Sequence, residues 1–162
     1  KGLIRQAGAS VYSKEECSYA IQSSAFEVIQ FPASIFDLGV YNNFIAKNST
    51  PIVFIARSLL LQGIVVNREQ IKERIKQSNA VLEYLDKLDE IARHCGLSTL
   101  EIALAFVYGL AGINYFVVGT ASPENLKRDI ECLKIKLPKT AVEKLEALAA
   151  EEKDWTNPRT WK

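Results

Sequence analysis

Apolar residues along this chain alternate between two rhythms. Leu3 to Ser10, Phe26 to Phe31, Ile52 to Ala56 and Tyr115 to Val118 read as strands. The last two are unbroken apolar runs, which suit strands buried on both faces. Between the strands, apolar positions recur at helical spacing. Cys17, Ala20 and Ile21 do so within Lys14 to Ser23, and Ile35, Leu38, Val40, Phe44 and Ile45 within Ile35 to Ala46. Leu82, Leu85, Leu88, Ile91, Ala92 and Cys95 form one stripe across Asn79 to Cys95, an amphipathic helix. Further helices are expected over Thr99 to Gly109, from Pro123 onward, and from Lys139 to about Lys153, the last carrying Val142, Leu145, Leu148 and Ala149 on one face.

Polar punctuation supports these bounds. Ser13 with Glu16, and Ser98 with Glu101, are capping boxes. Pro32 stops the second strand, Gly96 closes the long helix, and Asn48, Ser49 and Thr50 make a turn before Pro51. Arg68 to Ser78 is charged and mixed, which fits either an exposed helix or a mobile lid. After Val118, Gly119 lets the backbone come close to a ligand, Ser122 is a good N-cap, and Pro123 and Glu124 suit the first turn. Strand, tight turn and capped helix place free N–H groups at a strand's C-terminal end, a site for an anion such as a cofactor phosphate. The order β-α-β-α-β-αα-β-α-α predicts parallel strands with right-handed crossovers. It fits a small open sheet or half of a (β/α)8 barrel, since a whole barrel needs about 250 residues. In both, ligands gather at the C-terminal ends of the strands.

Composition narrows the function. The chain has 162 residues, 48% of them hydrophobic and 24% charged, enough for one ordinary globular core. A net charge of +1 gives no electrostatic reason to expect nucleic acid or an anionic membrane. No apolar run approaches a membrane span, and Lys1 to Ser10 lacks the apolar core of a secretory signal. Cys17, Cys95 and Cys132 are scattered, as expected of reduced thiols in a cytoplasmic protein. His94 is the one histidine, so no metal site is expected. At a helix end beside Gly96 it suits bonding to the last carbonyls. Methionine is absent and the chain starts abruptly at Lys1, which reads as a piece of a longer protein.

The residues at the strand ends carry a resemblance. Gly8-Ala9-Ser10 closes the first strand and Val28-Ile29-Gln30 the second, and Ala56-Arg57-Ser58-Leu59-Leu60-Leu61-Gln62-Gly63 follows the third. His94-Cys95-Gly96-Leu97-Ser98 precedes the helix containing Ala103 to Val107, and Val118-Gly119-Thr120-Ala121-Ser122-Pro123-Glu124-Asn125-Leu126 completes the set. In this order they resemble the C-terminal half of an aldo-keto reductase, over about Leu3 to Leu148. The resemblance implies an α/β fold: a partial, half TIM barrel whose four parallel strands are strands five to eight of the whole. Residues 1–153 would form the half-barrel and 154–162 a C-terminal tail. It also implies hydride transfer between NADP(H), or NAD(H), and a small carbonyl or alcohol substrate. Gln30 would hold the nicotinamide carboxamide with Ser10 beside it. Arg57 stands where an aromatic ring often stacks on the nicotinamide. Ser58, Leu60 and Gln62 would belong to the loop covering the pyrophosphate, and Gly119, Thr120, Ala121 and Asn125 would line the adenosine 2′-phosphate and adenine pocket.

The departures are specific. Val11, not asparagine, follows Ser10; Arg57 replaces the aromatic ring; and no basic residue stands at Gly119 or Asn125, although Lys127 and Arg128 lie nearby. The family's proton-transfer Asp, Tyr, Lys and His come from its first four strands, so no catalytic residue is expected in this chain. Ser10, Ser58 and Ser122 have no histidine base, which argues against a hydrolase triad. The chain is therefore expected to need a missing N-terminal half-barrel for chemistry, with a non-catalytic NADP(H)-binding module as the alternative. Standing alone it would expose strand edges and half a barrel core, and self-associate or be poorly soluble. Trp155 and Trp161 are expected to pack the tail on the barrel or to border a substrate pocket.

Overall fold

The computed structural model describes residues 2–150 and 153–161. Four parallel strands form one sheet in the order β1-β2-β3-β4. They are β1 (Gly8–Ser10), β2 (Val28–Pro32), β3 (Val53–Arg57) and β4 (Tyr115–Phe116). The helices are α1 (Lys14–Gln22), α2 (Ile71–Arg74), α3 (Ser78–His94), α4 (Thr99–Tyr108), α5 (Pro123–Glu131) and α6 (Lys139–Ala150). Register places Ser10, Gln30, Ile55 and Tyr115 in one row across the sheet, with Pro32 beside Arg57 two rows higher.

One face of this sheet builds the core. Ala9, Ile29, Phe31, Phe54, Ala56 and Phe116 join the apolar cluster shared with the helices. Phe31 meets Phe54 edge-on, and Phe116 meets Tyr108 of α4 with ring centroids 4.9 Å apart. The alternate residues, among them Ser10, Val28, Gln30, Val53, Ile55 and Arg57, are half-buried or exposed. The expectation that strands three and four are buried on both faces is therefore corrected. Tyr115 is 62% exposed and Val117 46%. An unbroken apolar run marks a strand that both faces of a closed barrel would cover, but here the helices cover one.

Two further expectations shift. The first strand is Gly8–Ser10 rather than Leu3 to Ser10. The Ala7 carbonyl accepts N–H bonds from Glu27 and Val28, where β2 begins, and Leu3 and Ile4 lie exposed outside the ladder. The helix expected from Ile35 starts later, because Ser34 and Asp37 close a turn first. Their backbones exchange two hydrogen bonds, the Ser34 Oγ accepts from the Phe36 N–H, and the Asp37 Oδ1 accepts from the Gly39 N–H. Such side chains compete for backbone donors. The helical turn Tyr41–Ile45 that follows is wide, with the Ala46 N–H bonding the Tyr41 carbonyl five residues back. Ile35 and Leu38 stay buried through the turn.

The remaining elements follow their caps. Both capping boxes form, at Ser13 and Ser98. Gly96 takes φ +67° and ends α3, with the Leu97 N–H bonding the Ala92 carbonyl. Arg68 to Ser78 holds the short α2, pinned by the buried Ile71 and Ile75. Beyond Ala150, Glu151 and Glu152 of the expected last helix lie outside the described residues, as do Lys1 and Lys162. Trp155 is buried against Phe36 and Tyr84, at ring-centroid distances of 5.3 and 5.7 Å. The tail thus packs on the barrel wall at that point. No helix among the described residues is long and apolar enough to cross a membrane.

Candidate functional site

The expected site residues fall into two groups along the C-terminal ends of the strands. The first is at the tips of β1 to β3. The Ser10 Oγ donates to the Gln30 Oε1 at 3.3 Å, as their shared row allows. This bond uses the carboxamide oxygen of Gln30 and leaves its amide N–H groups to donate elsewhere. Arg57 is drawn aside. Its Nη2 donates to the Val11 carbonyl at 3.1 Å, its Nη1 to the Ser58 Oγ at 3.3 Å, and its guanidinium carbon sits 3.9 Å from the Tyr12 ring centroid. Arg159 from the tail lies 3.6 Å from the same centroid. Two guanidinium groups that close cannot share a face, so Tyr12 is sandwiched between them. The Glu16 carboxylate accepts from the Tyr12 and Ser13 N–H groups and lies 3.7 Å from Arg159. Those bonds hold its carboxyl below the usual range, the Tyr12 N–H contributing most.

The second group lines a groove of about 350 Å³ between the loop after β3 and the turn after β4. Ser58, Leu60 and Gln62 face Gly119, Thr120 and Asn125 across it, with Val118, Arg128 and Asp129 completing the walls. Ala121 lies in the same turn but outside the lining. The loop after β3 reverses sharply, with Ser58, Leu61, Gln62 and Gly63 all at positive φ between 48° and 88°. Three of these are not glycine, and each such residue costs of order 1 kcal/mol. Buried Leu59, Leu61, Ile64 and Val65 hold the loop in place, and apolar burial of about 1.5–3 kcal/mol per side chain outweighs that strain. Gln62 is also clamped by Arg74, whose guanidinium donates to its Oε1 at 2.7 Å and to its carbonyl at 3.1 Å.

Across the groove, the Ser122 Oγ accepts from the Asn125 N–H and caps α5, and the Thr120 Oγ1 accepts from the Ser122 N–H. The Glu124 carboxylate accepts from the Ser122 Oγ at 2.8 Å, which lowers its pKa. Arg128 lines the groove and donates to the Asn125 Oδ1 at 3.2 Å. Lys127 instead lines a separate shallow pocket with Leu126 and Ile130. Arg128 is thus the cation placed at the groove.

Asp129 was not among the expected residues. It is 5% exposed, and its Oδ1 has no hydrogen-bond partner. Burial pushes its carboxyl up, against the opposing pull of Arg128. Nearby, burial and then Asp129 push the Tyr108 hydroxyl up to about 12. A signal existed in the sequence: Asn125, Asp129 and Cys132 recur at helical spacing, so an acid stands in the inward phase of α5. His94 sits in the last turn of α3 with Nδ1 2.7 Å from the Glu90 carbonyl oxygen. Among the described residues no cluster of histidine, cysteine or acidic side chains could hold a metal.

Comparisons with known proteins give this geometry a context. The model of the Aldo/keto reductase family matches residues 1–150. Curated proteins give no significant match. Among solved structures, the aldo-keto reductase AKR11C1 from Bacillus halodurans in its apo form is similar at a TM-score of 0.71 and 18% identity. The match covers 91% of this chain and 52% of that one; the holo form gives the same score. The thermostable aldo-keto reductase Tm1743, solved with the inhibitor epalrestat, is similar at a TM-score of 0.64 and 21% identity, over 91% of this chain and 49% of that one. The chain spans about half the length of these reductases and has the fold of half their barrel. With the family model covering nearly its whole length, the chain belongs to the aldo/keto reductase family.

Proposed function

We propose that this chain is the cofactor-binding portion of an NADP(H)-dependent oxidoreductase acting on a small carbonyl or alcohol substrate, corresponding to strands five to eight of the barrel. The observation that carries this reading is the groove itself. It opens at the C-terminal ends of β3 and β4, where a barrel's phosphate site commonly lies, beside a capped helix N-terminus.

The residues present fit the cofactor. Arg128, Thr120, Ser58 and Asn125 offer cationic and neutral donors around the groove, suited to phosphate oxygens. The unpartnered Asp129 Oδ1 is a buried acceptor that a donor on the adenosine would satisfy. Gln30, with its oxygen engaged by Ser10, presents its amide N–H groups to the nicotinamide carboxamide. Ser58, Leu60 and Gln62 cover the pyrophosphate from a loop already fixed in shape, which lowers the ordering cost of binding. Arg57, tied to Val11 and Tyr12, leaves the nicotinamide face free of a stacked guanidinium. When bound, the cofactor supplies or accepts the hydride. The proton-transfer tyrosine and its Asp, Lys and His partners come from chain outside these 162 residues.

NADPH titration tests the reading. Trp161 stacks on Arg74 at 4.7 Å, and Arg74 holds Gln62, so Trp161 fluorescence should report saturable binding. Arg128→Gln should weaken NADPH about tenfold or more while changing NADH little, since a charge-assisted phosphate contact contributes about 1.5–3 kcal/mol. No saturable change here, and none in the longer protein containing this sequence, would remove the cofactor claim.

A further inference from the structure

The segment after α6 reaches the loop after β3 through one side chain. Arg74, on α2, donates to the Gln62 Oε1 at 2.7 Å, to the Gln62 carbonyl at 3.1 Å and to the Gln70 Oε1 at 3.1 Å. Gln62 has φ 52° and ψ 34°, a left-handed backbone that disfavours a residue other than glycine. One guanidinium thus ties a strained turn to the start of the helix that follows it. The Trp161 ring covers that guanidinium, with its centroid 4.7 Å from the guanidinium carbon. Trp161 is itself held from behind: its Nε1 donates to the Trp155 carbonyl at 2.8 Å, and Trp155 is buried. An aromatic face laid on a guanidinium excludes water from it, and the bonds to Gln62 strengthen in the lower dielectric.

We infer that Trp161 is a positioning residue that latches the loop after β3 through Arg74, and that this latch sets how fast a dinucleotide enters and leaves the groove. The inference rests on the cofactor reading above, in which Gln62 covers the pyrophosphate. Gln62 and Leu60 line the groove, whereas Arg74 and Trp161 stand outside its lining. A dinucleotide seated under Gln62 passes only when the loop lifts. Lifting breaks the two bonds from Arg74 to Gln62 or pulls Arg74 off the Trp161 ring. Both contacts are between protein groups and use no ligand atom. They therefore contribute alike to the free and the bound chain and cancel from the affinity. Their weight falls on the barrier to opening instead, as in enzymes whose rates are set by a moving loop.

Stopped-flow mixing of the longer protein containing this sequence with NADPH, read by the fluorescence of the reduced nicotinamide, gives the association rate. A chase with excess NADP⁺ gives the dissociation rate. Trp161→Leu keeps apolar bulk but removes the aromatic face and the indole N–H. Both rates should rise about fivefold, the loss of one partly exposed cation–π contact, while Kd stays within about twofold. Arg74→Lys, which keeps the charge and loses the fork, should do the same. In an Arg74→Ala background Trp161→Leu should add nothing, since its effect passes through Arg74. Hydrogen exchange measured without NADPH should quicken across Leu59 to Ile64 in Trp161→Leu. Unchanged rates would overturn the latch, as would a weaker Kd with association unaltered, or an effect that persists in the Arg74→Ala background. A wild-type protein that binds no NADPH would remove the cofactor reading instead. The latch on the loop is then judged by exchange, and exchange indifferent to Trp161→Leu would overturn it.

Discussion

Asp129→Asn should stabilise the chain at neutral pH. The carboxylate is 5% exposed with one oxygen unpartnered, and leaving such a group unpaired costs about 1–3 kcal/mol, more when it is charged. Asparagine keeps the shape and removes the charge, so a gain of about 1–2 kcal/mol is expected, or roughly 2–4 °C in Tm per kcal/mol for a chain of this size. The pH dependence separates this cause from packing. Burial raises the folded-state pKa of Asp129 above the ordinary aspartate value. Between the unfolded and folded pKa values the folded chain therefore binds the extra proton, and wild-type stability rises as pH falls through that window. The penalty is complete above the folded pKa and gone below the unfolded one. Urea unfolding at several pH values, followed by circular dichroism, should show the variant ahead at pH 8 and the gap narrowing as acid is added. A gap that stays constant with pH, or a variant less stable at pH 8, would refute the argument.

Two other outcomes are expected. Burial pushes the Cys17 thiol up to about 11 and raises that of Cys132, and both are buried, whereas Cys95 is half-buried. A thiol reagent at pH 8 should therefore label Cys95 first and the other two only on unfolding; equal rates for all three would contradict the burial. Arg74→Ala removes both bonds to Gln62 and the contact with Trp161. Hydrogen exchange should speed up across Leu59 to Ile64, with a stability loss of about 1 kcal/mol, and unchanged exchange there would show that the buried leucines hold the loop unaided.

Periodicity and caps made the helices legible, because capping and amphipathic burial are local or single-face properties. Ser13, Ser98 and Ser122 cap where the sequence places them. The strands were legible as strands but not in their burial. Tyr115 to Val118 has the composition of a strand buried on both faces, and composition cannot say which cover this chain carries itself. The late start after β2 was hidden because Ser34 and Asp37 sit inside an otherwise helical pattern of Ile35, Leu38 and Val40. Their competing side-chain bonds show only in three dimensions. At the site, the sequence grouped Ser58 to Gln62 and Gly119 to Asn125 by resemblance, and the fold sets them on facing walls. The choice between Lys127 and Arg128 depends on helix phase, and the same phase turns Asp129 inward.

The tail links the two halves of this site. Arg159 closes on Tyr12 beside Val11 and Arg57, at the end holding Ser10 and Gln30. Trp161 lies on Arg74, which grips Gln62 at the end holding the groove. Contacts of this partly exposed kind contribute about 0.5–1 kcal/mol each, too little alone to order a terminal segment whose backbone costs about 1–2 kcal/mol per residue to fix. The ordering comes from Trp155, buried between Phe36 and Tyr84, and from the Trp161 indole N–H bonded to the Trp155 carbonyl at 2.8 Å. One buried aromatic anchor thus positions both partly exposed cation–π contacts. The loop after β3 and the segment after β1, linked directly by Arg57, are joined a second time through residues 155–161.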